Sequence, residues 1–483
     1  MKKLFLTDFS STHYGFIGAT IKNLRRKRID MSAHEDIRML SRLLACLIFV
    51  TALFLTAGES ASSDSTSATN TQYAAADANS CRWVEKAPDW VRSPIQMDIH
   101  AGYRIFAFYS DGTIGYRVRG EFPYAAFMSF TIYDNAFLYA ALTDYEIEAD
   151  PGSINPFHSN ELVNAPNRAY TVTVLPHNAR RDSMANPIFM PPLPNGSNPT
   201  SLVLVQRIYL GEPQDQDRFG GVDAPTIEPF QVRTSAPAAC PSGDFTAIFD
   251  QFGSFGGNFS QSPLPRNGKI EFYRAPASLV PFADGSSPLT KHDCTSYLMA
   301  TVFPDKLAVI HLPALPTFFD NAHITDTTLF EEPEVRYLSM GSYGASRLYA
   351  SDNENVAGPD LKTLPDGSAV FIAIPIRLPD RLKKEVAKKA EKLGYNVMPL
   401  AEYGPLIPLA VNGPKINPFL IYRNKVPREG FVGSILNVSC FQGSDFSEAS
   451  SDYAASPVNM DSYAPIGIEC SLSDFLYGNC GQY

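Results

Sequence analysis

The feature that most constrains this chain is an internal repeat, in which five short patterns of its first half return in its second half. The patterns keep the same order: 127–133 returns as 337–343, 150–153 as 365–368, 170–175 as 369–374, 186–191 as 396–399, and 202–207 as 418–423. A repeated order of this kind is typical of a duplicated structural unit. It constrains the fold far more than it constrains the chemistry.

Short β-strand patterns fill both copies, and turns rich in proline and glycine separate them. Many short strands with such turns favour a sandwich over an α/β sheet. The Asp111-Gly112 turn between the first two strand patterns predicts a β-hairpin. The strand patterns lie at 103–109, 113–119, 126–133, 170–175, 202–210, 298–303, 306–312, 369–374 and 419–422. The predicted fold class is mainly β, with duplicated antiparallel β-sandwich units.

One amphipathic helix is predicted at 381–393, after a capping Asp380 and before Gly394. Its apolar stripe is narrow and its other face is strongly cationic. We expect it to lie on a sheet with a solvated outer face, while the alternative is a basic recognition or membrane-surface helix. The stripe consists of Leu382, Val386, Ala390 and Leu393.

The uncharged segment 43–57 predicts export of the protein. Its 15 residues fit a signal-peptide core of about 7–15 residues and fall short of the roughly 20 that span a bilayer. Arg38 and Arg42 flank it on the amino side. We therefore predict a cleaved signal peptide or an uncleaved signal-anchor helix. The product would be secreted, periplasmic or on the cell surface, touching the membrane only through 43–57.

Six cysteines follow this segment, which agrees with an oxidising compartment. Six cysteines allow fifteen pairings, and the alternative is six buried thiols. We predict disulfides, and note that the last two cysteines could close a short loop. The six are Cys81, Cys240, Cys294, Cys440, Cys470 and Cys480.

The charge balance argues against one class of partner. The chain has 50 acidic and 40 basic residues, a formal net charge of −10. A protein that binds phosphate backbones usually presents a basic patch or stripe. We therefore expect no nucleic acid partner.

The repeat and the shifts in composition divide the chain into six segments. Whether the two copies form one body or two domains is left open. The segments are a leader at 1–58, a low-complexity tether at 59–94, a first β-sandwich unit at 95–235, a connector rich in Pro, Gly and Ser at 236–289, a second unit at 290–440, and an irregular tail with cysteines at 441–483.

Two arginines hold matched places in the repeat and form the first candidate site. Arg207 and Arg423 each end an apolar run and lie near a tyrosine, Tyr209 and Tyr422. Such a pair could recognise a carboxylate or a sugar phosphate by forked hydrogen bonds. The structural alternative is an arginine that ties a strand end to a neighbouring loop.

An acidic cluster is the second candidate site. Asp144, Glu146 and Asp150 alternate with other residues, so a strand there would display them on one face. Paired carboxylates could serve glycoside hydrolysis or bind calcium, and an exposed polar face is the alternative. The histidines are scattered, and we predict neither a metal site nor a cofactor.

Several segments also resemble a group of exported bacterial proteins of unknown function. The resemblance implies duplicated jelly-roll-like β-sandwich domains and carries no set of catalytic residues. The segments are 127–134, 143–147, 150–157, 205–209 and 220–225 in the first half, and 304–306, 336–339 and 420–424 in the second half.

These observations favour a non-catalytic ligand-binding or surface protein of unknown function. Its ligand, a small molecule, a glycan or a protein, would lie between the two copies or in a sandwich mouth. Tyrosines would line that site, and Arg207 or Arg423 could contribute to it. The alternatives are a secreted carbohydrate-active hydrolase and a structural envelope protein.

Overall fold

A computed structural model gives the architecture of the part of the chain described here. These described residues all belong to one compact unit. They are 81–86, 98–134, 137–179, 184–192, 200–211, 218–240, 261–276, 294–319, 325–343, 354–400, 404–405 and 415–480. The predicted export segment 43–57 and most of the predicted tether lie outside them.

The described residues are mainly β, with few helices, as the sequence predicts. The strands of the first half are β1 (Val84–Lys86), β2 (Ala101–Ser110), β3 (Ile114–Glu121), β4 (Phe127–Asp134), β5 (Phe137–Thr143), β6 (Ala169–Leu175), β7 (Pro187–Phe189), β8 (Thr200–Tyr209) and β9 (Thr226–Gln231).

The second half adds twelve strands and three short or medium helices to the described elements. The strands are β10 (Lys269–Ile270), β11 (Tyr273–Pro276), β12 (Cys294–Thr301), β13 (Leu307–Leu312), β14 (Val335–Tyr343), β15 (Glu354–Ala357), β16 (Ala369–Pro375), β17 (Asn396–Leu400), β18 (Gly404–Pro405), β19 (Lys415–Ile416), β20 (Phe419–Pro427) and β21 (Ile466–Cys470). The helices are α1 (Asp380–Lys392), α2 (Pro457–Met460) and α3 (Leu472–Tyr477).

The first half forms two sheets around one buried core. Sheet I has the strand order β1-β2-β8-β4-β5, and sheet II has the order β7-β6-β3-β9. Side chains from the two sheets share an apolar cluster that includes Phe106 and Phe130 from sheet I and Tyr116 and Val172 from sheet II. Strand β4 is buried along nearly its whole length, so both faces of sheet I are covered.

The second half repeats this arrangement. Sheet III has the order β11-β12-β20-β14-β15, and sheet IV has the order β10-β21-β13-β16-β17. Their common core contains Leu338 and Tyr422 from sheet III and Ile310 and Phe371 from sheet IV. Short strands β18 and β19 pair separately.

Strand order and register correspond between the two halves. Sheet I matches sheet III strand by strand, and β7-β6-β3-β9 matches β17-β16-β13-β21. The register also corresponds, because Ser129 lies opposite Arg207 and Ser339 lies opposite Arg423. The sequence predicts antiparallel sandwiches, but two strand pairs differ. Strand β6 pairs in parallel with β7, and β16 pairs in parallel with β17.

The predicted hairpin at Asp111-Gly112 is wrong. Strand β2 belongs to sheet I and β3 to sheet II, so the chain crosses between sheets at this turn. The turn itself is present: the Asp111 carboxylate accepts a hydrogen bond from the Thr113 amide at 2.8 Å, and Gly112 has a φ of 77°. The Asp-Gly dipeptide predicts a turn of the chain. The same turn can join two paired strands of one sheet or connect strands of two different sheets.

The predicted irregular tail, 441–483, contributes a strand to the second half. Strand β21 lies between β10 and β13 in sheet IV. The predicted helix is present as α1, and Val386 and Ala390 pack with Ile372 of sheet IV. Leu393, placed in the predicted apolar stripe, is 43% exposed just beyond the helix. Helix α1 therefore lies on a sheet, as expected.

Three disulfides join all six predicted cysteines, as Cys81–Cys240, Cys294–Cys440 and Cys470–Cys480. The first closes the first half from the segment before β1 to the segment after β9. Within the described residues, no helix is long and apolar enough to cross a membrane.

Candidate functional site

The outer faces of sheets I and III meet in a buried contact that we call the seam. Successive side chains of a strand point to opposite faces of its sheet. The side chains that do not face the sandwich core therefore lie in the seam. The rings of Tyr209 and Tyr337 lie 4.8 Å apart across it. Both side chains are almost fully buried. The seam therefore joins the two halves through side chains of corresponding sheets.

Each half contributes one arginine held between two tyrosines, which we call a Tyr–Arg–Tyr group. In the first group, Arg207 lies opposite Tyr103 in the strand register. Its guanidinium carbon lies 5.7 Å from the Tyr103 ring centre and 5.3 Å from that of Tyr133. Arg207 donates to Thr131 Oγ1 at 2.8 Å and to the Tyr133 hydroxyl.

The second group occupies the corresponding positions of the second half. Arg423 lies opposite Tyr297. Its guanidinium carbon lies 5.7 Å from the Tyr297 ring centre and 5.1 Å from that of Tyr343. Arg423 also donates to the Tyr343 hydroxyl at 2.6 Å. Position, stacking and hydroxyl contact are thus the same in both groups.

Asp98 links the first half to the second group. Its Oδ2 lies 3.4 Å from Arg423 Nη1 and accepts a hydrogen bond from the Tyr337 hydroxyl at 2.8 Å. Burial alone would raise the Asp98 pKa, but Arg423, His100 and these hydrogen bonds lower it overall. The Asp98 carboxylate is therefore charged at neutral pH, although it is only 1% exposed.

Lys425 adds an amine to the seam, close to an approximate two-fold axis that relates the two halves. Its ammonium group donates to the Tyr209 hydroxyl at 3.0 Å, and Tyr209 is the residue at the corresponding position of the first half. Contact between corresponding positions is typical of a two-fold axis. Burial, together with Arg207, lowers the Lys425 pKa well below 10.5, while Asp98 opposes the shift.

Lys425→Met is expected to change how stability depends on pH. The folded wild type holds fewer protons than the unfolded chain from the folded Lys425 pKa up to 10.5, so wild-type stability falls as pH falls through that range. The Lys425→Met variant has no amine at this position, so its stability does not fall with pH for this reason. Its stability relative to wild type should rise by up to about 1.4 kcal/mol per unit fall in pH, measured by urea unfolding between pH 9.5 and 7.

The control for this experiment is Tyr209→Phe, which removes the hydroxyl contact but keeps the buried amine. It should retain the wild-type slope. Equal slopes in wild type and Lys425→Met would show that Lys425 keeps an ordinary affinity for protons in the folded protein.

The predicted acidic cluster does not lie on one face of a strand. Asp144 begins a short 3₁₀ turn at 144–146 and is fully buried. Its Oδ2 accepts a hydrogen bond from the Met128 amide at 2.7 Å and lies 3.2 Å from Arg336 Nη2. Arg336 also donates to the Ala126 carbonyl from Nε at 2.9 Å and from Nη2 at 2.6 Å.

This Asp144–Arg336 pair ties the two halves together in an apolar setting. The Arg336 guanidinium lies 4.7 Å from the ring centres of both Phe157 and Phe330. Burial raises the Asp144 pKa and lowers the Arg336 pKa, and their mutual attraction opposes both shifts. Asp144 therefore serves as a structural contact in this geometry.

The other two members of the cluster accept hydrogen bonds from threonines. Glu146 Oε2 accepts hydrogen bonds from the Thr143 amide and hydroxyl, at 3.0 and 3.1 Å. Asp150 Oδ2 accepts one from Thr171 Oγ1 at 3.0 Å. The sequence predicts a strand here because acidic residues alternate with other residues, but the chain forms a 3₁₀ turn at 144–146 instead.

Tyr422, predicted beside Arg423, points away from the seam. It belongs to the core between sheets III and IV, because adjacent residues of β20 face opposite sides. Tyr209 does lie in the seam with Arg207. The sequence analysis missed Asp98, Lys425 and the four tyrosines of the Tyr–Arg–Tyr groups. Tyr133 and Tyr343 could have been found, since each ends the first repeated pattern.

Within the described ranges, no group of three or more His, Cys, Asp or Glu side chains could hold a metal ion. The chemistry that the seam offers is instead cationic and aromatic. It combines two guanidinium groups, one amine, one carboxylate and several tyrosine hydroxyls.

Comparison with known proteins gives distant structural matches. The chain matches no protein-family model and no curated relative. An uncharacterized protein from Burkholderia cenocepacia is 11% identical, with a TM-score of 0.40 over 82% of this chain and 83% of that one. The VPA0106 protein from Vibrio parahaemolyticus is 7% identical, with a TM-score of 0.31 over 78% of this chain and 90% of that one.

Proposed function

We propose that the protein is an exported, non-catalytic binding protein whose ligand contacts the seam between its two halves. The observation that carries the proposal is the meeting of the two Tyr–Arg–Tyr groups. Guanidinium forks recognise planar or tetrahedral acceptor groups, and tyrosines supply apolar faces with polar tips. Two such groups from matched strands offer one ligand two equivalent sets of contacts.

The placement of the carboxylates supports a binding protein over a hydrolase. Asp144 is engaged with Arg336, Glu146 holds its own turn, and Asp150 accepts a hydrogen bond from Thr171 of β6. Glycoside hydrolysis would need two carboxyl groups that flank one bond. Three disulfides agree with an oxidising compartment, which supports export.

The proposal includes a duplicated origin for the two halves, each a jelly-roll-like sandwich. The matching strand orders and the matching Tyr–Arg–Tyr positions support this origin. A ligand between two copies of one unit would then use residues that both copies inherited.

The test is a thermal-stability screen of the full chain against sugars, lipids, small acids and divalent ions. A ligand that binds only the folded state raises the melting temperature. We expect one chemical class of ligand to raise the melting temperature of wild type and of Arg104→Met. The same ligands should not raise that of Arg207→Met or Arg423→Met. Arg104 is the matched control, because it is a buried arginine of sheet I that pairs with Glu85 outside the seam.

A flat screen would overturn the proposal and favour a structural envelope protein, in which the seam only joins the two halves. A melting shift that survives both seam variants would place the ligand elsewhere on the molecule.

A further inference from the structure

We infer that the outer face of helix α1 is a membrane-contact surface that binds the phosphate headgroups of anionic lipids. The surface consists of three lysines, Lys384, Lys388 and Lys392, which we call the lysine face. Helix α1 lies on the outer side of sheet IV, where Val386 packs with Ile372, whereas the seam lies on the outer side of sheet III. The lysine face is therefore separate from the seam, and the two surfaces can be tested independently.

The three lysines form one row along the helix. They stand four residues apart, so they project from the same side and span roughly 12 Å along the helix axis. All three are exposed. The buried residues of the helix, Val386 and Ala390, lie on the opposite side against sheet IV. The three ammonium groups can therefore reach one flat surface at the same time.

The ion pairs of α1 involve other side chains. Among the described residues, Arg381 pairs with Glu385 at 3.0 Å and Lys383 pairs with Asp380 at 2.8 Å. Glu391 is the one acidic residue of the helix outside these two pairs. The helix has six basic and three acidic residues, a net charge of +3, while the whole chain carries −10. The lysine face is thus a local concentration of positive charge on an acidic protein, which suits an anionic surface.

Two exposed apolar side chains beside the lysine face favour a membrane over an acidic protein. Leu393 follows Lys392 directly and is 43% exposed, and Tyr477 on α3 is 82% exposed. The Lys389 ammonium group donates to the Leu476 carbonyl at 2.8 Å, so the end of α3 lies against the last turns of α1. Apolar and aromatic side chains beside lysines are typical of surfaces at the membrane–water interface.

The lysine face would act together with the predicted export segment 43–57. Each lysine near an anionic bilayer strengthens binding about fivefold, which gives reversible attachment when only three are present. Lasting attachment to a membrane takes a second signal. Segment 43–57, retained as an anchor, would supply that signal, and the lysine face would then hold the second half of the folded unit against the headgroups.

The test is co-sedimentation of the full chain with lipid vesicles. One set contains phosphatidylcholine alone, and the other contains about 30% phosphatidylglycerol in phosphatidylcholine. We expect at least about tenfold tighter binding to the anionic vesicles in about 0.05 M sodium chloride, and loss of this preference in about 0.5 M, where salt screens the charges. Equal binding to both sets of vesicles at low salt would overturn the inference.

A triple variant assigns the preference to α1, because Arg38 and Arg42 of the leader also attract anionic lipids. In this variant, Lys384, Lys388 and Lys392 are each replaced by glutamine, which keeps a high helix propensity. We expect its preference for anionic vesicles to be at least about tenfold smaller than that of wild type, with an unchanged melting temperature. Equal preference in wild type and the triple variant would contradict the inference.

The matched control removes three exposed positive charges outside α1, by Arg119→Gln, Arg233→Gln and Arg266→Gln together. It should keep the wild-type preference within about twofold. Tyr477→Ser should weaken binding to the anionic vesicles about threefold, since it removes an interfacial side chain but no charge. Soluble polyglutamate serves as the rival probe. Tighter binding of wild type to polyglutamate than to the anionic vesicles would assign the lysine face to an acidic protein and overturn the membrane contact.

Discussion

Replacing Arg336 with alanine is expected to lower the free energy of unfolding by about 3–5 kcal/mol. The change leaves Asp144 buried without its cation and removes both donors to the Ala126 carbonyl. Because burial already raises the Asp144 pKa, the loss should be largest at neutral pH and smaller in acid, where Asp144 takes up a proton. Urea unfolding at pH 7 and pH 5 measures both effects.

Two controls accompany this variant. The double variant Asp144→Ala with Arg336→Ala should be more stable than Arg336→Ala alone, since no unpaired charge remains buried. Arg381→Ala breaks an exposed ion pair with Glu385 on helix α1, and it should cost less than about 1 kcal/mol. A loss for Arg336→Ala no larger than that of Arg381→Ala would mean that the pair contributes little to holding the halves together.

Asp98→Asn is expected to destabilise the protein by about 3–5 kcal/mol at neutral pH. The amide keeps the shape of the side chain but removes the carboxylate that faces Arg423 and Tyr337. Since the Asp98 pKa is below 3.8 in the folded protein, its stabilising contribution is present at neutral pH and lost as pH falls from 3.8 through the folded pKa. The variant should therefore lose less stability in acid than wild type does.

Glu85→Gln is the matched control for this charge removal. Glu85 also faces a buried arginine, Arg104, but is itself 46% exposed, so solvent screens the pair. We expect a loss of less than about 1 kcal/mol. If Asp98→Asn were as mild as Glu85→Gln, the Asp98 carboxylate would contribute little to stabilising Arg423 in the seam.

The sequence predicts much of the fold because the repeat and the strand patterns are local. Strands β2, β4, β6 and β8 and helix α1 fall where apolar periodicity and turn residues predict them. The partners of each strand do not follow from local patterns. The Asp111-Gly112 turn, predicted as a hairpin, leads from sheet I to sheet II because each strand finds its partners far away in the chain.

The candidate site was predictable to a smaller extent. Arg207 and Arg423 stand out because the repeat places them at matched positions. Tyr422 lies in the core between sheets III and IV and not beside Arg423 in the seam, because neighbours along a strand point to opposite faces. Asp98 precedes β2 in a segment without a pattern of its own, and its role depends on Arg423 and Tyr337, which lie far away in the sequence.

The approximate two-fold relation also bears on which halves are able to pair with each other. Tyr209 meets Lys425 at corresponding positions, and Arg336 meets the corresponding Ala126. If two first halves paired in this way, two copies of Tyr209 would meet. If two second halves paired, two copies of Lys425 would face each other and Arg336 would lack Asp144. We expect this division of charge to make each half selective for the unlike half and to disfavour exchanged, like-with-like assemblies during folding.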